Sequence, residues 1–401
     1  MNNENKAICT KKLIDDLKKV CERSIKVNQC ESAMAAISVA GHILYRYNQC
    51  YTDLELECMI ERIAEIKRTK YKEMLNLFKT DPNTVLFYDG FGLDTRGVAG
   101  MYLNALKKNG YRIVYVTDSF SQGSLIELSK QMRDADIVWE YISMRNSYTQ
   151  WVDELMQVIL KNSPKAMFFY TKPNDVAGAV GFGMMKSKVE RYFIDLTDHA
   201  FWLGTHSNDF FCGSREMSAS NQVFKRNIPK EKAIKLGVNL IIDEGSDHSG
   251  LPFNVENEKY IFSGGALYKT LGDTQNTYYR IVEHILGRHD DIKFLYAGFG
   301  DDTQLQKILD KYPNRAYFVA ERKDFYYLIK HCTLYLNTYP MFGGMMMKYA
   351  ANAGKIPVTL RHKSDSDGLL LNQKSAKIEY DTYEELVEDV DKLLEIGRAH
   401  V

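Results

Sequence analysis

The chain has 401 residues, of which 45% are hydrophobic and 26% are charged, a composition typical of globular proteins. This length exceeds what a single hydrophobic core ordinarily holds, so we expect two or more domains. Basic and acidic residues are equal at 52 each. The sequence shows no basic tract, which argues against a nucleic-acid partner.

The cysteines and the hydropathy pattern predict a cytoplasmic protein. Seven cysteines are scattered along the chain without a Cys-x-x-Cys pair, which indicates reduced thiols. No apolar run approaches the roughly 20 residues of a membrane span, and the first residues lack a signal-peptide pattern. We therefore expect no transmembrane segment, and any membrane contact would be peripheral, at the inner membrane face.

The first 80 residues have a helical pattern. Apolar residues recur at intervals of three and four from Lys11 to Leu77, and Thr52 with Glu55 matches a capping box at the start of one helix. Helical hairpins packed before an α/β domain are the simplest interpretation. A module that binds a protein partner is the alternative.

Strand-like and helical runs alternate through the rest of the chain, which predicts an α/β fold with parallel sheets. One alternation begins at Val85 and a second begins at Tyr260, and a final amphipathic helix covers 382–396. Between them, 228–253 reads as a boundary around one strand-like run, 235–242. The expected domains are 1–80, 81–252 and 253–396, with a ligand cleft between the last two. Residues 397–401 are left out of this prediction.

Strand ends in the second alternation carry glycine or polar residues, which suits the binding of a phosphorylated ligand at one sheet edge. These ends are Ser263-Gly-Gly-Ala-Leu-Tyr-Lys269, Ala297-Gly-Phe-Gly-Asp-Asp302, Val319-Ala-Glu-Arg-Lys-Asp324 and Pro340-Met-Phe-Gly-Gly344. Glycine lets a ligand approach the backbone, and a lysine neutralises phosphate. The alternatives are tight strand-to-helix turns and a solvated lysine.

The order of these motifs resembles the nucleotide-sugar half of GT-B-fold glycosyltransferases. The match is good over about 260–360 and looser over the first alternation. The resemblance implies two facing Rossmann-like domains after the N-terminal helical region, with 81–252 on the acceptor side and 253–396 holding the nucleotide sugar.

The same resemblance implies a set of donor-binding positions. The first group would contact the diphosphate, the second would border the nucleobase and ribose, and the third would offer N–H groups to the phosphates. They are Gly264, Gly265 and Lys269; Val319, Glu321 and Arg322; and Gly343, Gly344 and Met345, and Gly298 would lie at the end of the next strand.

The chain departs from the pattern of many retaining members, which carry two glutamates before the last strand of this region. The corresponding positions here are about Met341 and Tyr349. Ribose binding must therefore differ, and a retaining mechanism loses its main support. The Pro-x-x-Gly-Gly turn looks closer to the peptide-glycosylating branch, which uses a nucleotide-bound lysine and no metal.

The strongest catalytic candidates are Asp198 and His199, in a segment that follows a predicted strand. Histidine has the unperturbed pKa best suited to general-base work near neutral pH. An inverting transfer needs such a base for the acceptor proton, whereas a retaining one would use His199 to hold the sugar. The alternative is a structural histidine, and His206 and Arg215 are weaker candidates.

A second glycine turn follows Tyr88, and there Asp94 or Thr95 would cap a helix and Arg96 would meet an anion. The alternative is a cap with packing glycines. The sequence has no His-Glu-x-x-His, paired Cys/His or Asp-x-Asp element after a strand, so no residue set requires a metal.

We therefore predict a glycosyltransferase that uses a nucleotide diphosphate sugar as substrate, with a UDP-sugar favoured, and no other cofactor. The acceptor would be a saccharide or a protein, in bacterial surface glycan or glycoprotein synthesis. The alternatives are a non-catalytic nucleotide-binding partner subunit and a nucleotide-sugar epimerase or polyol-phosphate transferase of the same fold.

Overall fold

The computed structural model describes residues 3–47, 50–92, 98–237, 239–245, 247–362 and 377–399. The chain divides into two compact units, Met1–Asn239 (unit 1) and Leu240–Val401 (unit 2). The domain limits 1–80, 81–252 and 253–396 stay a prediction from the sequence. The candidate residues Asp94, Thr95 and Arg96 lie outside the described residues.

Unit 1 begins with helices and continues as alternating strands and helices. Its described helices are α1 (Asn3–Lys26), α2 (Cys30–Tyr47), α3 (Leu54–Thr69), α4 (Lys72–Leu77), α5 (Ala99–Lys108), α6 (Ile126–Gln131), α7 (Tyr148–Asn162), α8 (Val176–Met184) and α9 (Glu216–Phe224). Its described strands are β1 (Asp81–Asp89), β2 (Arg112–Asp118), β3 (Ile137–Ile142), β4 (Pro164–Tyr170), β5 (Glu190–Asp195), β6 (Phe210–Gly213) and β7 (Ala233–Lys235).

The strands of unit 1 form one parallel sheet in the order β3-β2-β1-β4-β5-β6-β7. Val85 to Tyr88 of β1 are all buried, so both faces of this central strand are covered, as parallel sheets require. The chain moves outward from β1 to β3 and then crosses to β4 on the other side of β1. This reversal creates a topological switch point between β1 and β4.

Unit 2 repeats the arrangement. Its described helices are α10 (Thr277–Arg288), α11 (Thr303–Lys311), α12 (Phe325–His331), α13 (Gly344–Asn352) and α14 (Tyr383–Ala399). Its described strands are β8 (Tyr260–Ala266), β9 (Lys293–Phe299), β10 (Ala316–Ala320), β11 (Leu334–Leu336), β12 (Pro357–Leu360) and β13 (Glu379–Tyr380). They form a parallel sheet in the order β10-β9-β8-β11-β12-β13, with the switch point between β8 and β11.

The N-terminal helices share one core with the first sheet. Apolar residues of α1, α2 and α3 cluster with residues of β1, β2, α7 and α8. Glu31 of α2 lies at the start of α7 and accepts backbone N–H groups from Tyr148 at 3.0 Å and Thr149 at 2.8 Å. A carboxylate there satisfies N–H groups that lack a partner within the helix. The predicted protein partner for this region stays a prediction.

A buried glutamate of α3 ties this helix to the loop after β5. Glu57 accepts the backbone N–H of Gly204 at 2.9 Å and that of His206 at 3.1 Å. Burial raises the pKa of Glu57, and these N–H groups oppose the increase by stabilising the ionised form. The helix itself begins after Asp53, whose carboxylate accepts the N–H of Leu56 at 3.1 Å.

Three local predictions differ from the structure. The helix predicted to begin with a capping box of Thr52 and Glu55 is capped by Asp53 instead. The strand in the boundary region is β7, Ala233–Lys235, rather than the run 235–242. The stretch before it contains β6 and α9, for which no element was predicted. Among the described helices, none is both long enough and apolar enough to cross a membrane.

The contact between α3 and the loop after β5 predicts a loss of stability in Glu57→Ala. This change removes the acceptor for two backbone N–H groups, so the free energy of unfolding should fall by about 1–3 kcal/mol. Glu65→Ala, on the exposed side of the same helix, is the matched control and should change it by less than about 0.5 kcal/mol. Urea unfolding followed by circular dichroism measures both, and equal stability of the two variants would contradict this role of Glu57.

Candidate functional site

The loops after β8 and β11 are joined at the switch point of unit 2. The backbone N–H of Met341 donates to the carbonyl oxygen of Lys269 at 3.1 Å. Lys269 lies in a short 3₁₀ helix, Leu267–Thr270, directly after β8. The predicted lysine and the predicted Pro-x-x-Gly-Gly turn are therefore held beside each other.

Close strand pairing explains two of the predicted glycines. Gly265 of β8 pairs with Gly298 of β9, and a Cβ placed on Gly298 would lie 2.0 Å from the carbonyl oxygen of Gly265. Gly265 has a φ of +123°, which side chains rarely adopt, and its own Cβ position faces open space among the described residues. The end of β8 thus exposes bare backbone at this sheet edge.

The side chain of Asn337 fixes the turn that leads into α13. Asn337 accepts the N–H of Gly343 at 3.1 Å through Oδ1 and donates to Thr359 Oγ1 at 3.1 Å through Nδ2. A Cβ placed on Gly343 would lie 2.8 Å from that Oδ1, so a larger residue here would displace the amide of Asn337.

The same turn directs the start of α13 toward the sheet edge. Helix α13 begins at Gly344, so the N–H groups of Gly344 and Met345 belong to its first turn, where an α-helix leaves donors for an anion. A Cβ on Gly264 would lie 3.1 Å from Cε of Met346, so β8 and α13 are in close contact. Unit 2 therefore brings together Gly264, Gly265, Lys269, Gly298, Gly343, Gly344 and Met345.

The residues predicted to border the nucleobase lie one strand further out. Val319 of β10 pairs with Ala297 of β9, and Glu321 follows in the next loop. The side chain of Arg322 makes its hydrogen bonds within the protein. Its Nε and Nη2 each lie 2.8 Å from Asp324 oxygens, and its Nη1 donates to the carbonyl of Ser249 at 3.0 Å. The structure thus gives Arg322 a role in the fold, and its contact with a nucleotide stays a prediction.

At the two positions where many retaining members carry glutamate, the structure shows different chemistry. Tyr349 donates its hydroxyl to the carbonyl of Ile241 at 3.1 Å and contacts the ring of Phe325 edge-on at 4.9 Å. Met341 is half exposed. Tyr349 therefore anchors the backbone at the start of unit 2.

In unit 1, Asp198 is the centre of a polar cluster near the carboxyl end of β5. Its side chain is only 4% exposed, and Arg215 contacts it with two nitrogens at 2.6 and 2.7 Å. Ser218 of α9 donates its hydroxyl to the same carboxylate. His199 is 55% exposed, and its Nδ1 lies 3.6 Å from Asp198 Oδ1, an ion-pair distance that is longer than a hydrogen bond.

Two carboxylates in this cluster have opposite pKa shifts. Burial alone would raise the pKa of Asp198, but the hydrogen bonds from Arg215 and Ser218, the charge of Arg215 and the nearby imidazole of His199 hold it well below its usual value. Burial raises the pKa of Asp195 to about 6, against the attraction of Arg226 and with the help of Asp198. Asp198 is therefore a fixed negative charge, and His199 is the more exposed group beside it.

A buried arginine holds the backbone of the His199 loop. Arg226 is 3% exposed, donates to the carbonyl of Ala200 at 2.8 Å and to that of Tyr51, and stacks over Trp202 at 4.3 Å. Gln222 donates to Asp195 at 3.0 Å. Asp195, Ser218, Gln222 and Arg226 were not predicted from the sequence as site residues.

The remaining candidates of unit 1 that lie among the described residues have partners within the fold. His206 Nδ1 lies 3.0 Å from Glu61 Oε2 on α3. In the glycine turn after β1, a Cβ on Gly90 would lie 1.9 Å from Thr171 Oγ1, and Asp89 accepts N–H groups from Phe91 and Gly92. The loops after β1 and β4 therefore pack directly on each other.

No protein-family profile and no curated protein match this sequence. Solved structures do match its fold. A glycosyltransferase from Rickettsia africae is 11% identical and has a TM-score of 0.55, with 78% of this chain and 88% of that chain covered. A Listeria monocytogenes protein that carries the name UDP-N-acetylglucosamine 2-epimerase is 12% identical, with a TM-score of 0.54 over 80% and 90% of the two chains. An O-GlcNAc transferase mutant from Thermobaculum terrenum is 13% identical, with a TM-score of 0.51 over 94% and 74%.

The chain has the GT-B fold. The predicted class, α/β with two Rossmann-like domains and an N-terminal helical region, is thereby confirmed. At these identities the likeness establishes the fold alone. The similar structures are enzymes of the GT-B fold, and they include both glycosyltransferases and an epimerase.

One signal in the sequence marks Ser218, Gln222 and Arg226, which the predictions missed, together with the predicted Arg215. Arg215, Ser218, Gln222 and Arg226 are spaced by three, four and four residues, the spacing of one face of a helix. That face is polar although α9 lies next to a buried strand, and it meets Asp195 and Asp198. A polar helix face opposite strand-end carboxylates is the pattern that would have identified the cluster.

The Asp198–Arg215 pair predicts a pH-dependent loss of stability in Arg215→Ala. Leaving the buried carboxylate without its arginine should lower the free energy of unfolding by about 3–5 kcal/mol at neutral pH. The pKa of Asp198 is depressed in the native protein, so its contribution is present above the unfolded pKa and is lost as the pH falls. The difference between wild type and variant should therefore shrink on acidification.

Urea unfolding at pH 7 and at about pH 3, below the ordinary aspartate pKa of about 3.9, measures this difference. The double variant Asp198→Ala/Arg215→Ala is the control and should be more stable at pH 7 than Arg215→Ala alone, because no buried charge is left unpaired. A difference that stays constant with pH would contradict the role of the ion pair.

Proposed function

We propose that this chain is a glycosyltransferase that moves a sugar from a nucleotide diphosphate sugar, with UDP-sugars favoured, to a saccharide or protein acceptor. The GT-B fold and the enzymes that share it support this reaction class. The observation that carries the proposal is the joining of the Lys269 loop to the Gly343–Gly344 turn through the Met341–Lys269 hydrogen bond. It brings a lysine and the N-terminus of a helix to one place, as a diphosphate requires.

Unit 2 would hold the donor. Gly265 and Gly298 let the diphosphate approach the backbone, the N–H groups of Gly344 and Met345 donate to it, and Lys269 neutralises it. These groups would act on the leaving diphosphate, whose negative charge grows as the sugar departs. A lysine and a helix N-terminus supply this stabilisation through fixed donors that need no rearrangement during the reaction.

Unit 1 would supply the base. The acceptor hydroxyl oxygen bonds to the anomeric carbon, the bond from that carbon to the diphosphate breaks, and the acceptor proton passes to the imidazole of His199. His199 is the exposed member of its cluster, whereas Asp198 and Asp195 are buried. Asp198 is then a positioning residue that stabilises the imidazolium through its charge.

The donor seat predicts that Lys269→Ala weakens UDP binding at least tenfold, because a charge-assisted contact of this kind contributes about 1.5–3 kcal/mol. Lys307→Ala, an exposed lysine of α11 in the same unit, is the matched control and should leave the affinity unchanged. Isothermal titration calorimetry with UDP and GDP measures this. Unchanged affinity in Lys269→Ala would remove the lysine from the site, and no binding of either nucleotide at millimolar concentration would reject the donor site.

The proposed base predicts that His199→Ala binds UDP as tightly as wild type while its transfer rate falls about 10²–10⁴-fold, the usual contribution of a general base. His42→Ala, an exposed histidine of α2, is the control and should keep full activity. The assay follows UDP release from UDP-GlcNAc and the mass of peptide and saccharide acceptors. Full activity of His199→Ala would end its role, and conversion of UDP-GlcNAc to an epimer without acceptor would favour the epimerase alternative.

A further inference from the structure

A thiol, a carboxylate and an imidazole come together where α3 meets the loop after β5. The side chains are those of Cys58, Glu61 and His206, and one potential ligand atom of each lies within 4.8 Å of the others. Cys58 and Glu61 are three residues apart and therefore share a face of α3. We propose that these three residues form a zinc site that joins the N-terminal helices to the sheet of unit 1.

The donor chemistry fits zinc among the divalent metals. Zinc is bound by cysteine thiolate, histidine nitrogen and glutamate oxygen at about 2.0–2.3 Å, most often with four ligands in a tetrahedron. Such bond lengths place ligand atoms about 3.3–3.8 Å apart. Nδ1 of His206 and Oε2 of Glu61 are already 3.0 Å apart, so modest rotations of Cys58 and Glu61 would complete the set, with water as the fourth ligand.

The surroundings hold the histidine in place and leave the site accessible. Glu57 accepts the backbone N–H of His206 at 3.1 Å and so fixes the loop that carries the imidazole. Cys58 is exposed, and the side chains of His206 and Glu61 are 31% and 36% exposed. Solvent reaches the α3 ligands through an open depression of about 630 Å³, lined by Ile25, Cys58, Glu61, Arg62, Glu65 and Ile66.

The nearby charges act in both directions. Lys186 lies 3.1 Å from Oε1 of Glu61 and disfavours a cation, whereas the buried carboxylate of Glu57 favours one. Since Lys186 contacts Oε1, Oε2 of Glu61 is the oxygen that would face the metal together with His206. A thiolate and a carboxylate would together balance the charge of Zn²⁺. Sequence patterns do not reveal this site because Cys58 and His206 come from distant parts of the chain.

Metal titration of the full chain tests the site directly. The reduced protein, freed of metal by chelation, is titrated with Co²⁺, which reports a bound thiolate through a sulfur-to-cobalt charge-transfer absorption. We expect this absorption to saturate at one equivalent in wild type, and one equivalent of Zn²⁺ should abolish it. Cys58→Ser should lack the absorption, and its affinity for Zn²⁺ should fall at least tenfold, as should that of His206→Gln.

Cys50→Ser is the matched control, since Cys50 lies in the same N-terminal region outside the cluster and should bind both metals as wild type does. Circular dichroism of Cys58→Ser checks its fold, which the change of an exposed side chain should preserve. The proposal is overturned if wild type gives no thiolate absorption, if Cys58→Ser retains it, or if Cys50→Ser loses it equally. UDP binding to unit 2 is measured separately, so failure of the zinc site leaves the proposed function untouched.

Discussion

The parallel pairing of β8 with both β9 and β11 is the constraint on which the candidate donor site depends. β8 is buried from Tyr260 to Gly264, so helices must cover both faces of the sheet. From β8 the chain runs outward through β9 to β10 and then crosses to the other side of β8 as β11. The loops after β8 and β11 then rise side by side at the carboxyl edge. The hydrogen bond from the N–H of Met341 to the carbonyl oxygen of Lys269 fixes that arrangement. Because glycines occupy the strand ends, backbone atoms form the surface there.

Unit 1 has the same strand order at its centre but uses its edge differently. At its switch point, Gly90 packs closely against Thr171. The carboxylates of Asp89 and Asp175 accept hydrogen bonds from nearby backbone N–H groups. The polar cluster with the exposed His199 lies one strand further out, after β5. There the Asp198–Arg215 pair keeps a charge buried, which is stable only because the arginine and Ser218 satisfy the carboxylate. The exposed His199 is thus held next to a permanent negative charge.

Hydrophobic periodicity predicted most of this fold from the sequence, because long parallel strands and amphipathic helices each have a clear repeat. Strand β6 and helix α9 escaped that reasoning. The strand has only four residues, and the helix is polar on the face that meets Asp195 and Asp198. Glycine-rich strand ends were also readable, since backbone approach needs glycine whatever the ligand. The partners of individual side chains could not be predicted from the sequence. Arg322 pairs with Asp324, two residues away, and Tyr349 donates a hydrogen bond to the backbone of Ile241.

We propose that the start of α13 and Lys269 bind one diphosphate, and a crystal structure of the chain with UDP tests this most directly. We expect the diphosphate oxygens within hydrogen-bond distance of the N–H groups of Gly344 and Met345 and of Nζ of Lys269, above the Gly265–Gly298 pair. UDP bound elsewhere on the chain, or bound with its diphosphate turned away from α13, would contradict the account.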